Sequence, residues 1–307
     1  MSYSNSIIFG PIPSRRFGIS LGVDLSPSKK QCNFDCLYCE LEGAKTVDKM
    51  DESPSVVEII VAIKDSFEKH PKIDVITLTA NGEPTLYPKL DELIDEINKI
   101  KGETKTLILS NGSTIYKKDI YNALLKIDTV KLSLDCVSEK CFKKLDRVNK
   151  NVETQKIVPS MCDFSKETKN DFVLEILFVK DLNDKDDELI LLYDAVKKIN
   201  PKRVDIGTID RPPAYEVKPV SYEFLESVAN RFENINTNII YKNRPKCIQY
   251  FDIEEIKSIL KRRPLTKEDI ENMFDEKSKL NLNKLLENKM ITLVNSSGVV
   301  FYKNLQK

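Results

Sequence analysis

Cys32-Asn33-Phe34-Asp35-Cys36-Leu37-Tyr38-Cys39 sets three thiols at intervals of four and then three residues on one short stretch. Three thiolates from one loop can hold three irons of a 4Fe-4S cube and leave the fourth iron open. An open iron binds a chelating substrate, whereas a fourth cysteine would close the cluster into an electron carrier. Two plainer readings stand beside this one: a zinc site, or cysteines buried incidentally. Zinc wants a fourth ligand. The only histidine, His70, stands at a helix end just before Pro71, where a structural role is expected. Of the four remaining cysteines, Cys136 and Cys141 are a tolerable start for an auxiliary cluster. However, Cys141 falls in an expected helix and no compact motif gathers Cys136, Cys141, Cys162 and Cys247, so all four read as buried thiols.

The elements that must position the cysteine loop follow from periodicity. A short, partly β-branched run at 19–25 reads as a strand ending just before the loop. After the loop, Ser53 as N-cap and Pro54 at the first helical position open a helix whose Val56, Ile59, Ile60, Ile63 and Phe67 share one face. A strand at 73–79 turns at Asn81-Gly82, and a helix opened by Pro88 stops at Gly102. Strands at 104–109, 130–134, 172–179 and 203–208 then alternate with helices at 117–125, 138–158 and 186–198. Six strands joined by five helical connections predict parallel βα units, which right-handed crossovers curl into a partial (β/α)6 barrel. An open doubly wound sheet is the competing α/β arrangement.

A Pro-rich stretch at 210–219 closes this unit, giving a first domain at 1–218 and a connecting segment at 219–251 with a helix at 221–232 and a short strand at 239–241. Residues 252–307 form a small C-terminal unit. Three helices, the second capped by Thr266 with Asp269 three residues on, precede a hairpin that turns at 295–298, the pattern of a winged-helix-like module.

The chain of 307 residues accommodates two such units and buries a core without staples. Its 41% hydrophobic and 31% charged residues describe a globular protein, and equal numbers of basic and acidic side chains exclude a globally basic nucleic-acid binder. Contact with nucleic acid would need local patches such as Arg15-Arg16 or Lys261-Arg262-Arg263, and residues 252–307 carry only a slight basic excess. No apolar run approaches the roughly 18 residues of a membrane span. Met1 to Gly10 lacks a signal-peptide pattern, and seven cysteines, an odd number, argue against a disulfide framework. A cytoplasmic location without membrane contact is expected.

The C-x3-C-x2-C spacing with Tyr38 before the last cysteine resembles the signature of the radical S-adenosylmethionine (radical SAM) enzymes, and the six βα units resemble their partial barrel. The resemblance implies that Cys32, Cys36 and Cys39 ligate a 4Fe-4S cluster whose open iron binds S-adenosylmethionine. Reductive cleavage of that cofactor would give methionine and a 5′-deoxyadenosyl radical, which abstracts a hydrogen atom. Asn81-Gly82-Glu83 resembles the Gly-Gly-Glu segment that binds the methionine amino group. Asn in place of the first Gly tolerates unusual backbone angles. Ser110, Asn111, Ser133 and Asp135 match polar positions used for the ribose and methionine ends, Tyr38 is expected near the adenine, and Glu175 offers a polar side chain within the fifth strand.

Gly10-Pro11-Ile12-Pro13-Ser14-Arg15-Arg16-Phe17-Gly18, Asp24 and Asp210-Arg211-Pro212-Pro213-Ala214 extend the resemblance to a bacterial and archaeal group classed near the wyosine-forming tRNA synthases. True wyosine synthases carry a second cysteine trio upstream, and this chain has no cysteine before Cys32. The resemblance implies an electron donor such as reduced flavodoxin or ferredoxin and makes RNA, above all tRNA, a candidate substrate. Arg15, Arg16 and Arg211 are candidates for meeting anionic substrate groups, with structural ion pairing as the alternative. The rival expectations are an activating enzyme for a protein partner and a non-enzymatic iron-sulfur regulator that binds DNA through the C-terminal module.

Overall fold

The computed structural model describes residues 7–14, 17–70, 72–232, 234–240, 248–296 and 299–305. Arg15, Arg16 and Cys247 lie outside the described residues. The main sheet runs in chain order: β1 (Ile8–Ser14), β2 (Gly18–Asp24), β3 (Val75–Thr79), β4 (Lys105–Ser110), β5 (Thr129–Ser133), β6 (Asp171–Phe178), β7 (Arg203–Thr208) and β8 (Thr237–Ile239). Strands β2 to β8 pair in parallel, and β1 is antiparallel to β2. A doubly wound sheet reverses its strand order at a switch point. Here the order never reverses, so the sheet winds one way, as a partial barrel does.

Two strands lie outside the six expected. Pro11 and Pro13 hide β1 in the sequence, because proline cannot donate to a ladder, yet on an antiparallel edge that loss is tolerated. The short strand expected at 239–241 forms two residues earlier and joins β7 through Val204↔Thr237 and Ile206↔Ile239, so the segment read as a connection carries part of the barrel.

Helix α1 (Val56–Lys69) starts at Ser55 rather than Ser53. The Ser55 hydroxyl accepts from Glu58 N–H while the Glu58 carboxylate accepts from Ser55 N–H, a reciprocal box that Ser53 has no Glu to form. Helices α2 (Leu90–Ile100), α3 (Lys118–Leu124), α4 (Thr154–Glu167), α5 (Asp186–Ile199) and α6 (Tyr222–Arg231) follow in turn. On α2, Leu90, Leu93, Ile94 and Ile97 are buried, each contributing roughly 1.5–3 kcal/mol of transfer free energy. Leu225, Val228 and Phe232 of the 219–251 segment sit in the same core.

Cys136 and Cys141 are both buried, but as a disulfide rather than two thiols. Ser138 caps the short helical run Glu139–Cys141, and Glu188 of α5 accepts from Val137 N–H and Ser138 N–H. The resulting turn brings the two Cα atoms within 5.4 Å.

The C-terminal unit comprises α7 (Ile253–Arg262), β9 (Leu265–Thr266), α8 (Lys267–Met273), α9 (Glu276–Glu287) and the hairpin β10 (Ile291–Ser296) and β11 (Val299–Asn304), with β9 pairing β11. Its core joins Phe251, Ile256, Ile259, Leu265 and Phe274 to Ile12 of β1. Ser258 Oγ donates to Ile8 O at 3.3 Å, and Gln249 Nε2 donates to Pro11 O, so the unit is seated on the edge strand. Among the described residues no helix is long and apolar enough to cross a membrane.

Candidate metal centre and cofactor cavity

The cysteine loop leaves β2 at the carboxyl end of the parallel strands, where βα loops build barrel sites. Gln31, just before Cys32, runs parallel to the Asn81-Gly82-Glu83 turn. Gln31 N–H donates to Asn81 O, and Glu83 N–H donates to Gln31 O, both at 2.9 Å. Gly82 has φ +135°, and a Cβ there would overlap the Gln31 carbonyl oxygen. Asn81 lies outside the left-handed region, so its tolerance of unusual backbone angles is not used. The conformational demand falls on Gly82.

Asp35, within the loop, is buried and accepts from Ala44 N–H at 3.2 Å and Tyr215 Oη at 2.7 Å, with the Arg147 guanidinium 3.1 Å away. Ala214 N–H donates to Cys39 O at 2.7 Å, and Arg211 donates to the Glu40 carboxylate at 2.8 Å. The segment after β7 thus clamps the loop from the opposite side of the barrel.

Cys32, Cys36 and Cys39 are all half-buried. Burial is the main cause that pushes their thiols up, Cys32 to about 12 with help from the Glu83 charge. Left alone, these sulfurs would stay protonated. A bound metal centre supplies the positive charge that makes them thiolates. Donors already face two of the sulfurs: Phe34 N–H at 3.4 Å and Asn111 Nδ2 at 3.8 Å from Cys32 Sγ, and Lys30 Nζ at 3.6 Å from Cys39 Sγ. Such hydrogen bonds stabilise ligating thiolates and tune cluster potentials. The donor set therefore suits a three-cysteine 4Fe-4S cluster.

Of the other residues expected at the site, Glu83 is 1% exposed, with both oxygens engaged. It accepts from Thr85 N–H, Thr85 Oγ1 and Ser110 Oγ on one oxygen and from Asn111 N–H on the other, all between 2.6 and 2.9 Å. Glu83 and Ser110 therefore tie the ends of β3 and β4 together, while Asn81 and Gly82 are the members of their turn that line the cavity. Asn111 reaches Cys32 Sγ and Asn33 Oδ1 with its amide. Tyr38 Oη donates to Asp135, which also accepts from Leu177 N–H at 2.6 Å. Ser133 joins Tyr38, Asn111 and Asp135 around a small recess that also contains Asp146, a buried carboxylate that the sequence did not single out. Burial raises the Asp135 carboxyl to about 7 and raises Asp146 as well.

Inward positions of successive strands enclose a cavity of about 540 Å³, with Tyr38, Cys39, Asn81 and Gly82 at its cluster end. Leu107 and Leu109 supply an apolar wall, and Lys131 and Glu175 face it from β5 and β6. The Lys131 ammonium is buried, ion-paired to Glu175, and 3.6 Å from Asp205, which is fully buried. Alternation could have flagged Lys131, the polar member of Val130-Lys131-Leu132 that shares a strand face with Ser133.

Lys261-Arg262-Arg263 does not form the expected basic patch, because Arg262 and Arg263 turn inward and only Lys261 stays exposed. Lys261 Nζ donates to Pro27 O at 3.0 Å, Arg262 pairs with Asp24 at 2.8 Å, and Arg263 approaches Asp269 at 3.5 Å. Arg262 and Arg263 line the barrel cavity.

Residues 27–193 match the Radical SAM superfamily. The chain belongs to this superfamily. Members bind a 4Fe-4S cluster and S-adenosylmethionine, and they are generally enzymes. This radical SAM chain is 40% identical over 299 residues to the UPF0026 protein of Helicobacter pylori strain J99, covering 96% of this chain and 97% of that one. UPF0026 protein MJ1312 of Methanocaldococcus jannaschii is 29% identical over 320 residues, covering 98% and 97% respectively. Among solved structures, a radical SAM methyltransferase from Sphaerobacter thermophilus superposes with a TM-score of 0.55 at 14% identity, covering 73% of this chain and 67% of that one. Streptococcus suis SuiB bound to S-adenosylmethionine gives 0.51 at 18% identity, covering 69% of this chain and 46% of SuiB. At these identities the two structures speak for the shared fold alone.

Proposed function

We propose that this radical SAM protein is an enzyme that cleaves S-adenosylmethionine reductively and abstracts a hydrogen atom from a substrate held in the barrel cavity. Cys32, Cys36 and Cys39 would ligate the cluster. When bound, the cluster supplies an electron to the sulfonium, and scission of the C5′–S bond gives methionine and a 5′-deoxyadenosyl radical. The observation that carries this reading is the seam between Gln31 and Gly82, which joins the cysteine loop to a turn lining the cavity.

In this reading Asn81 and Gly82 meet the cofactor's methionine end, and Glu83 holds their turn in place through Thr85, Ser110 and Asn111. Tyr38, fixed by Asp135, forms the wall beside the adenosyl part with Ser133. Glu175 presents its carboxylate to the cavity, held by Lys131. The apolar face of Leu107 and Leu109 keeps water from the reacting atoms. Residues 252–307 act as a winged-helix-like module that completes the cavity wall. A small reduced protein such as flavodoxin or ferredoxin serves as electron donor. An RNA substrate would present a splayed-out nucleotide to this cavity, which the cofactor shares.

The reading predicts that anaerobic reconstitution gives about four irons per chain. Dithionite with S-adenosylmethionine should then yield 5′-deoxyadenosine, and Cys36→Ala should lose both properties. A reconstituted wild-type protein that forms no 5′-deoxyadenosine overturns it. For RNA, nucleosides of tRNA from a deletion strain should lack one modification present in the wild type, and identical spectra exclude that substrate.

A further inference from the structure

The two units of the chain meet at an ion pair that leads directly into the cofactor turn. Asp24, the last residue of β2, is 2% exposed. One of its oxygens accepts from Ser26 N–H at 2.9 Å and from Asn81 N–H at 2.8 Å. The other accepts from Arg262 Nε at 2.8 Å. Arg262, the last residue of α7, is held in turn. Its Nη1 donates to Ser258 O at 2.9 Å and Ser258 Oγ at 2.8 Å, and its guanidinium lies 5.1 Å from the Phe9 ring centroid. Phe9 occupies the space that a Cβ on Gly22 would need. A continuous set of contacts therefore runs from the C-terminal unit to the backbone of Asn81.

We propose that Arg262 is a positioning residue of the S-adenosylmethionine site, acting through Asp24 on the Asn81-Gly82-Glu83 turn. This rests on the proposed function, in which that turn binds the cofactor. A buried carboxylate needs charge-matched donors to stay in place. Asp24 has two backbone N–H donors and one cation, and the cation comes from the other unit. Without Arg262, Asp24 would be drawn toward solvent or a substitute partner, and Asn81 N–H would lose the acceptor that sets its direction. The fork of Arg262 serves Asp24 and Ser258 together, which a lysine ammonium cannot reproduce in the same geometry. The C-terminal unit is thus part of the cofactor site.

The test uses the reconstituted full-length protein and equilibrium binding of S-adenosylmethionine, with thermal unfolding as a control. Arg262→Gln should raise Kd by about tenfold or more. Arg262→Lys should recover only part of this, and Asp24→Asn should weaken binding similarly. Because Arg262 acts through Asp24, the Asp24→Asn, Arg262→Gln double variant should bind no worse than Asp24→Asn alone. If Arg262→Gln does not fold, Ser258→Ala, which removes one anchor of the guanidinium, should raise Kd by about threefold. Folded variants that bind as tightly as wild type, or strictly additive losses, overturn the inference while leaving the proposed function standing. A reconstituted wild type that does not bind S-adenosylmethionine overturns the proposed function and the inference with it.

Discussion

Gln31 and Gly82 lie backbone against backbone, with Gln31 N at 2.9 Å from where a Cβ on Gly82 would stand and the Gln31 carbonyl oxygen closer still. Gly82→Ala must therefore move the residue that leads into Cys32. The backbone conformation alone costs on the order of 1–3 kcal/mol for a residue with a side chain, and the overlap adds to it. The variant should unfold at lower temperature and take up less iron on reconstitution. Gly102→Ala is the control: φ is +55° but nothing lies within 4 Å. It should lower stability by about 1–2 kcal/mol and leave iron uptake unchanged.

Asp135 links protonation to stability in the cluster-free protein. Burial raises its carboxyl from 3.8 to about 7, against the bonds from Leu177 N–H and Tyr38 Oη, which favour the ionised form. The folded state therefore holds a proton that the unfolded chain releases near pH 4. Stability from this group is fully present below that pH and is lost as pH rises through about 7. Asp146, buried beside it and raised mainly by the same burial, carries part of this dependence, so denaturant unfolding between pH 4 and 7 should show wild type weakening with pH, Asp135→Asn less steeply, and Asp135→Asn combined with Asp146→Asn less steeply again. Parallel curves for wild type and Asp135→Asn would contradict the assignment.

Lys131 is a cation that faces Glu175 and Asp205 inside the barrel. Lys131→Met leaves Glu175 without this partner and Asp205 with Arg203 at 3.0 Å. Removing one member of a buried pair typically costs about 3–5 kcal/mol, and the retained Arg203 contact puts the expected loss near the lower end. Combining Lys131→Met with Glu175→Gln should recover part of that stability in chemical denaturation, because the second change removes a carboxylate that Lys131 had faced.

The parts of the site legible in the sequence are local ones. Cysteine spacing is a property of one loop, and the turn at Asn81-Gly82 announces itself through its residue types, so both stand where expected. Ser53 and Ser55 flank Pro54, and only the Glu three residues after Ser55 decides between them. The proline-bearing edge strand was hidden because its acceptability depends on being at an edge, which is a property of the whole sheet. Arg262 and Asp24 are 238 positions apart. No window of sequence contains both, and a run of Lys and Arg at the end of an amphipathic helix looks the same whether it faces water or a buried carboxylate. Cys136 and Cys141 are only five positions apart, but the turn between them is held by Glu188, 51 positions beyond Val137.

If three cysteines leave one iron of a cluster open to S-adenosylmethionine, the electron paramagnetic resonance spectrum of the dithionite-reduced, reconstituted protein will register that molecule when recorded with and without it. A reduced 4Fe-4S signal whose g-values shift when S-adenosylmethionine is added is expected, together with the absence of that signal in Cys36→Ala. A reduced cluster whose spectrum is unchanged by saturating S-adenosylmethionine would contradict it.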